Sequence, residues 1–351
     1  MAEENATVKK RGLGCIGCGL LGCGMILLIL LVLIILMLIG IFAMDSEMDL
    51  KLEKDTEIFK EKIIRDTRSN SAAGAKIIVI DVRGMITDSD SLNDDANANR
   101  ICAMIRKAAA DPEAKALIIN LNTPGGEVVA SDRIYEELCL FRKNTKKPVV
   151  AVMNSIATSG GYYIAAACKP IIANRMTLTG SIGVIISSIN YQGLFQKIGL
   201  KSEIYTSGKM KDMLNGSRPR TPEEIKIVNT LVSNTYDEFV KIVATSRGIP
   251  IEKIKTSIIG DGRIFDGKQA LSLGLIDSIG SFRDAIQAAA KEAGITQNGF
   301  LVVRYEEYFS FSQLFSMLAA NANVKLSLEN TLRETSVQLK PGTPYFLPVG
   351  F

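Results

Sequence analysis

Three glycine-rich segments carry the residue types that could do chemistry: NTPGG at 122–126, ATSGG at 157–161 and LTGSIG at 178–183. Ser159 follows a strand-like run and precedes the apolar segment YYIAAA, with two glycines behind it. That is the arrangement of a nucleophilic hydroxyl exposed on a sharp strand-to-helix turn. The N–H of Gly160, at the helix start, and the N–H of Gly126 could then serve as a two-donor oxyanion hole. A plain helix N-cap at Ser159 and a plain tight turn at NTPGG fit the same residues. In NTPGG, Pro124 fixes the turn, while Gly125 and Gly126 are free to take positive φ and leave an amide pointing outward. A phosphate cradle is disfavoured there, because no Gly-Lys-Ser/Thr follows and the G-x-G-x-x-G spacing is absent.

The chain has no histidine. Ser-His-Asp and Cys-His catalysis are therefore excluded, as are histidine-containing zinc sites. A nucleophilic serine is left with a lysine or a carboxylate as its base. A lysine accepts a proton only when neutral, so its ordinary pKa of about 10.4 must fall to roughly 7 or 8, a shift costing about 4 kcal/mol. The segment TSGKMKDMLNG offers Lys209 and Lys211, which sequence physics alone leaves as equals, and both fit equally as solvated loop lysines.

The elements that must position these groups follow from the hydropathy pattern. From Lys76, short β-branched runs (KIIVIDV, ALIINLN, PVVAVM, PIIA, SIGVIISS, SEIYTS) alternate with amphipathic helices near 95–109 and 127–143. Runs of this kind predict an α/β domain with a mainly parallel sheet, whose ligand crevice lies at the carboxyl ends of the strands. Thr221-Pro222-Glu223-Glu224 marks the start of the longest helix, with Ile225, Val228, Val232, Tyr236, Phe239 and Val243 on one face. No internal repeat is visible, so one catalytic-sized domain is expected, at 76–304.

Outside that domain the composition changes. Residues 13–44 form an uncharged apolar run long enough to span a bilayer, with Lys9, Lys10 and Arg11 before it and Asp45, Glu47 and Asp49 after it. The positive-inside rule then makes 1–12 a cytoplasmic N-terminus, 13–44 a single-pass anchor in the cell membrane, and everything after it extracytoplasmic. Cys15, Cys18 and Cys23 share small-xxx-small spacing with Gly14, Gly19 and Gly22, which suits helix packing, with palmitoylation and metal binding as alternatives. Residues 45–75 read as a charged helical stalk and linker, and 305–351 as an amphipathic helix with an apolar, proline-broken tail. The net charge of +4 offers no strong field for nucleic acid, and no aromatic-and-basic ladder is present.

The motifs NTPGG, ATSGGYY, LTGSIGV and SGKMKD, in this order and ahead of RPRTPEE, resemble those of the signal peptide peptidase A family of membrane serine proteases. The resemblance covers roughly Lys76 to Arg304. Thr123 and Thr158 stand where the family more commonly has Ser and Ala. It implies Ser159 as nucleophile, Lys211 as general base, Ser181 as the group that orients the lysine, and Gly126 and Gly160 as oxyanion donors. It also implies the spiral ββα fold of Clp proteases and crotonases, no cofactor or metal, and peptide substrates such as remnant signal peptides with small or apolar side chains. Because the family brings its serine and lysine from different catalytic domains, a homo-oligomer with shared dyads is expected. Three alternatives remain beside this one: a protease acting on a stomatin-like membrane partner, a crotonase-like acyl-CoA enzyme, and a non-catalytic membrane scaffold.

Overall fold

The computed structural model describes residues 59–68, 74–88, 96–295, 299–307 and 345–346, together with Leu31. The chain divides into two units, Met1–Glu57 and Ile58–Phe351. The first, which includes the expected anchor, lies outside the described residues apart from Leu31. Among the described residues no helix is long and apolar enough to cross a membrane.

The second unit is an α/β structure built on a parallel-rich sheet. Its elements are β1 Phe59–Asp66, β2 Ala75–Arg83, α1 Ala98–Ala110, β3 Ala114–Thr123, β4 Gly126–Glu127, α2 Val128–Thr145, β5 Val149–Thr158, α3 Gly160–Ala165, β6 Ile171–Ala173 and β7 Leu178–Gly180. They continue with α4 Gln192–Lys197, α5 Pro222–Arg247, α6 Ile251–Thr256, β8 Ile264–Phe265, α7 Gly267–Ser272, β9 Ser278–Ile279, α8 Phe282–Glu292, β10 Phe300–Glu307 and β11 Tyr345–Phe346. The main sheet runs β1-β10-β2-β3-β5-β6-β9, with β7 pairing β5 and β8. From β10 to β9 the pairings are parallel, whereas β1 closes the edge antiparallel to β10.

Strand residues alternate between two apolar layers, as a pleat with both faces buried requires. Ile78, Ile80 and Val82 of β2 pack with Ile101, Ile105, Ile134, Leu138 and Tyr162 from α1, α2 and α3. Their neighbours Ile77 and Val79 pack on the other face against Ala285, Ile286 and Ala289 of α8. Beyond the reach of α8 that second face turns polar. There Arg304 (3.2 Å) pairs with Asp81, which accepts from Asn120 (2.6 Å), which in turn accepts from Asn154 (2.7 Å), so four strands are tied at their carboxyl ends.

Several expectations need correcting. Phe59–Asp66, read as part of a helical stalk, is strand β1, because β10 supplies an antiparallel partner along its length, although Phe59 is its only buried residue. Tyr305 to Glu307, read as the start of a helix, end β10 instead. The remainder of the expected terminal helix and tail lies outside the described residues, save β11. Among the described residues SIGVIISS and SEIYTS form no strand, SIGVIISS keeping only a single-residue bridge at Ile185. They belong to an arm over 185–220 on which Ile189, Leu194, Ile198, Leu200 and Tyr205 are exposed. Helix α5 has the expected capping box on Thr221 and Glu224. Its apolar face is covered only in the second half, by burial of Phe239, Val240 and Val243, while Ile225 stays 47% exposed.

Candidate active site

Strand β5 delivers Ser159 to the start of α3. Pairing continues through the strand end, with Thr158 opposite Gly180 and the Ser159 N–H donating to the Gly180 carbonyl at 2.8 Å. This pairing is why Ser159 is buried (0% exposed) rather than raised into solvent as expected. Its backbone sits at φ 52°, a region L residues enter rarely. Its Oγ is buried, has no hydrogen-bond partner among the described residues and makes no N-cap bond. The capping alternative therefore fails. A buried unpaired hydroxyl and a positive φ each carry about 1–3 kcal/mol of destabilisation, and both fall on this one residue.

The turn is held from behind. The Tyr162 hydroxyl donates to the Leu275 carbonyl (2.8 Å) and the Tyr163 hydroxyl to Asp132 (2.6 Å), so α3 is fixed to the core at two points. Thr158 donates to the Pro124 carbonyl at 2.9 Å, which ties the ATSGG turn directly to NTPGG. In NTPGG the Thr123 hydroxyl accepts from the Gly125 N–H at 3.1 Å, and Gly125 takes φ 107°. Gly126 does not take a positive φ. It must be glycine because a Cβ there would lie 1.9 Å from the Ile86 carbonyl oxygen. Ile86 forms a parallel bridge to Gly126 and brackets it, donating to the Gly125 carbonyl (2.8 Å) and accepting from the Glu127 N–H (2.9 Å).

These constraints bring the two proposed donors together. A Cβ on Gly160 would stand 3.2 Å from the Gly126 amide nitrogen, so both backbones border the same small space beside Ser159. The edge there accepts extended peptide. Residues Tyr345 and Phe346 of β11 pair antiparallel with Glu127 and Gly126.

Ser181 is also buried and held at φ 50°, its N–H donating to the Arg263 carbonyl at 2.8 Å. It borders a cavity of about 300 Å³ lined by Val184, Ile185, Val232 and Tyr236. Lys211 is on the exposed arm, in a turn where its N–H donates to the Gly208 carbonyl. Neither Ser159 nor Ser181 is hydrogen-bonded to it. Lys209 differs, because its ammonium is paired with Glu223 at 2.8 Å. The structure thus joins Ser159, Gly126 and Gly160 at one turn, sets Ser181 one strand away, and leaves Lys211 exposed and without a hydrogen bond to either serine.

A clamp that sequence reading missed fixes the Lys211 turn. Arg218 donates two bonds to Asp212 at 2.7 Å and also pairs with Glu224, whose carboxylate caps Thr221 at 2.7 Å. The Arg218 hydrogen bonds lower both carboxyls to about 2, aided at Glu224 by the Thr221 N–H. The signal was present in the acidic-basic-acidic spacing of KDMLNGSRPRTPEE, but only the capping part of it has a local reading.

Residues 141–296 match the family model of peptidase family S49. The chain is 36% identical over 239 residues to a protein of Enterococcus faecium named as a signal peptide peptidase SppA, covering 67% of this chain and 69% of that one. It is 37% identical over 202 residues to the chloroplastic serine protease SPPA of Arabidopsis thaliana, covering 57% of this chain and 29% of that one. It is 34% identical over 214 residues to protease 4 of Haemophilus influenzae, covering 61% of this chain and 34% of that one.

Proposed function

Because this chain belongs to the signal peptide peptidase A family, peptidase family S49, and is a serine protease of that type, we propose that Ser159 is its nucleophile and that Lys211 of a neighbouring copy is the base. The observation that carries the first half is the buried, unpartnered Ser159 Oγ at a positive-φ turn beside two bracketed glycine amides. The second half rests on the separation of Lys211 from Ser159, together with the exposed apolar residues of the arm and of the first half of α5. A second copy covering those surfaces would carry its lysine to Ser159, and Ser181 would hold the incoming amine. There the amine leaves water, and desolvation favours its neutral, proton-accepting form.

The chemistry follows from the placement. A peptide pairs with the β4 edge, as β11 does, which presents its scissile carbonyl to Ser159. The lysine amine takes the Ser159 proton as Oγ attacks the carbonyl carbon, and the N–H groups of Gly126 and Gly160 hold the oxygen that becomes negative. Collapse breaks the C–N bond, the lysine ammonium protonates the departing amine, and an acyl-serine remains. The lysine then takes a proton from water as the water attacks the ester, and returns it to the departing Ser159 Oγ as the acid is freed. The fold is that of the Clp and crotonase group in this reading. The cavity beside Ser181, walled by Val184, Ile185 and Val232, favours small or apolar side chains, in keeping with remnant signal peptides as substrates and with an anchor at 13–44 that holds the enzyme at the membrane.

Mixing inactive subunits tests the proposal. Ser159→Ala and Lys211→Ala chains, each silent alone, should regain part of the peptidase activity when co-assembled, and a serine-reactive probe should label only subunits that retain Ser159. Continued silence in verified mixed oligomers would sink the shared site, and labelling elsewhere would sink the nucleophile.

A further inference from the structure

At the opposite end of α2 from Gly126 lies a cavity of about 570 Å³ whose charged walls are almost all of one sign. Arg142, Lys143, Lys146, Lys147 and Lys169 line it, with Glu292 as the lone carboxylate. Helix geometry explains part of this, since cations gather at the negative end of a helix dipole. It does not explain Lys169, which arrives from the turn before β6. Nor does it explain Lys146, which occupies the left-handed C-cap position at φ 58° where glycine is the easy choice.

The cations fall into two groups. Arg142 donates to the Ala167 carbonyl (2.7 Å) and Lys147 to the Asp111 carbonyl (2.9 Å), so both are held in place by neutral acceptors. Burial pushes the Lys147 ammonium down, opposed by the Asp111 carboxylate. Lys143, Lys146 and Lys169 are exposed and have no carboxylate within ion-pair distance among the described residues. Exposed lysines such as Lys226 and Lys268 also lack a carboxylate partner among the described residues, so what sets these three apart is that they line one concavity together with Arg142 and Lys147. Two anchored and three open cations around one concavity suit a compact multivalent anion.

We propose that this cavity is a phosphate-binding site, for the phosphodiester of an anionic lipid headgroup or for a free phosphate compound. Nothing in the peptidase chemistry needs it, and it stands whether or not Lys211 is the base.

The test uses the full chain in non-ionic detergent and reads lysine acetylation by mass spectrometry, with pyrophosphate and dioctanoyl-phosphatidylglycerol as separate probes and dioctanoyl-phosphatidylcholine as the uncharged control. Either phosphate probe should slow acetylation of Lys143, Lys146 and Lys169 about fivefold or more, leaving Lys226 and Lys268 unchanged. Protection by phosphatidylglycerol alone assigns a lipid headgroup, and protection by pyrophosphate assigns a free phosphate. The Lys143→Gln, Lys146→Gln, Lys169→Gln triple variant should bind the effective probe at least about tenfold more weakly by calorimetry. Absence of protection by both probes, equal protection at Lys226 and Lys268, or unchanged binding by the triple variant would overturn the site.

Discussion

Gly160 lies so close to Gly126 that a methyl group on its Cα would stand 3.2 Å from the Gly126 amide nitrogen and 2.5 Å from Ser131 Oγ. Ser131 cannot step aside freely, because its hydroxyl donates to the Glu127 carbonyl at 2.9 Å. Gly160→Ala should therefore spread the two donors apart and lower kcat about 10²–10³-fold, the usual effect of losing one oxyanion donor. A folded variant with unchanged kcat would show that these amides do not hold the oxyanion.

Strain at Ser159 gives a prediction about stability. Ser159→Gly relieves the positive φ and removes the unpaired hydroxyl, whereas Ser159→Ala removes only the hydroxyl. Both should be inactive, and the glycine variant should be more stable than the alanine variant by about 1 kcal/mol in denaturant titration. The opposite order would mean that the turn is unstrained.

The Arg218 clamp should act on activity through the Lys211 turn. Arg218→Met leaves the buried Glu224 without its partner, frees the turn, and should cut kcat with little change in KM. Asp212 and Glu224 are held at about 2, so their contribution to stability is complete above the ordinary carboxyl range and is lost as the pH falls toward 2. Acid unfolding of the wild type should show this loss, and the variant should lack it. Identical acid profiles would remove the clamp from the account.

The two arm lysines should separate cleanly. Lys211→Ala should abolish turnover, while Lys209→Ala, which breaks only the exposed pair with Glu223, should retain most of it. Wild-type kcat/KM should rise with pH over roughly 6 to 9 as a base loses its proton. A flat profile would argue against a lysine base, and the reverse mutant pattern would shift the assignment by two residues.

Much of the site is legible in the sequence because its constraints are local. Pro124, the glycine pairs and the Thr221 capping box each act within a few residues, and the lack of histidine narrows the chemistry at once. The elements misread are those decided at a distance. KEKIIRD looks like a solvated stalk until β10, more than two hundred residues later, supplies the other half of the ladder. Gly126 is glycine because of the Ile86 carbonyl, not because of its own turn. SIGVIISS has strand-forming residues but makes only a single-residue bridge at Ile185, so propensity alone misleads there.

The proposed placement of Ser159 and Lys211 on different copies of the chain has a kinetic corollary. A catalyst whose two reacting groups ride on different chains has a specific activity set by its own abundance, rising steeply while copies are scarce and levelling once they are assembled. Dilution then silences it as surely as an inhibitor. With the proposed anchor confining copies to a bilayer surface, the same chain would be switched on by lateral crowding, and any cargo that gathers copies together would hasten its own hydrolysis.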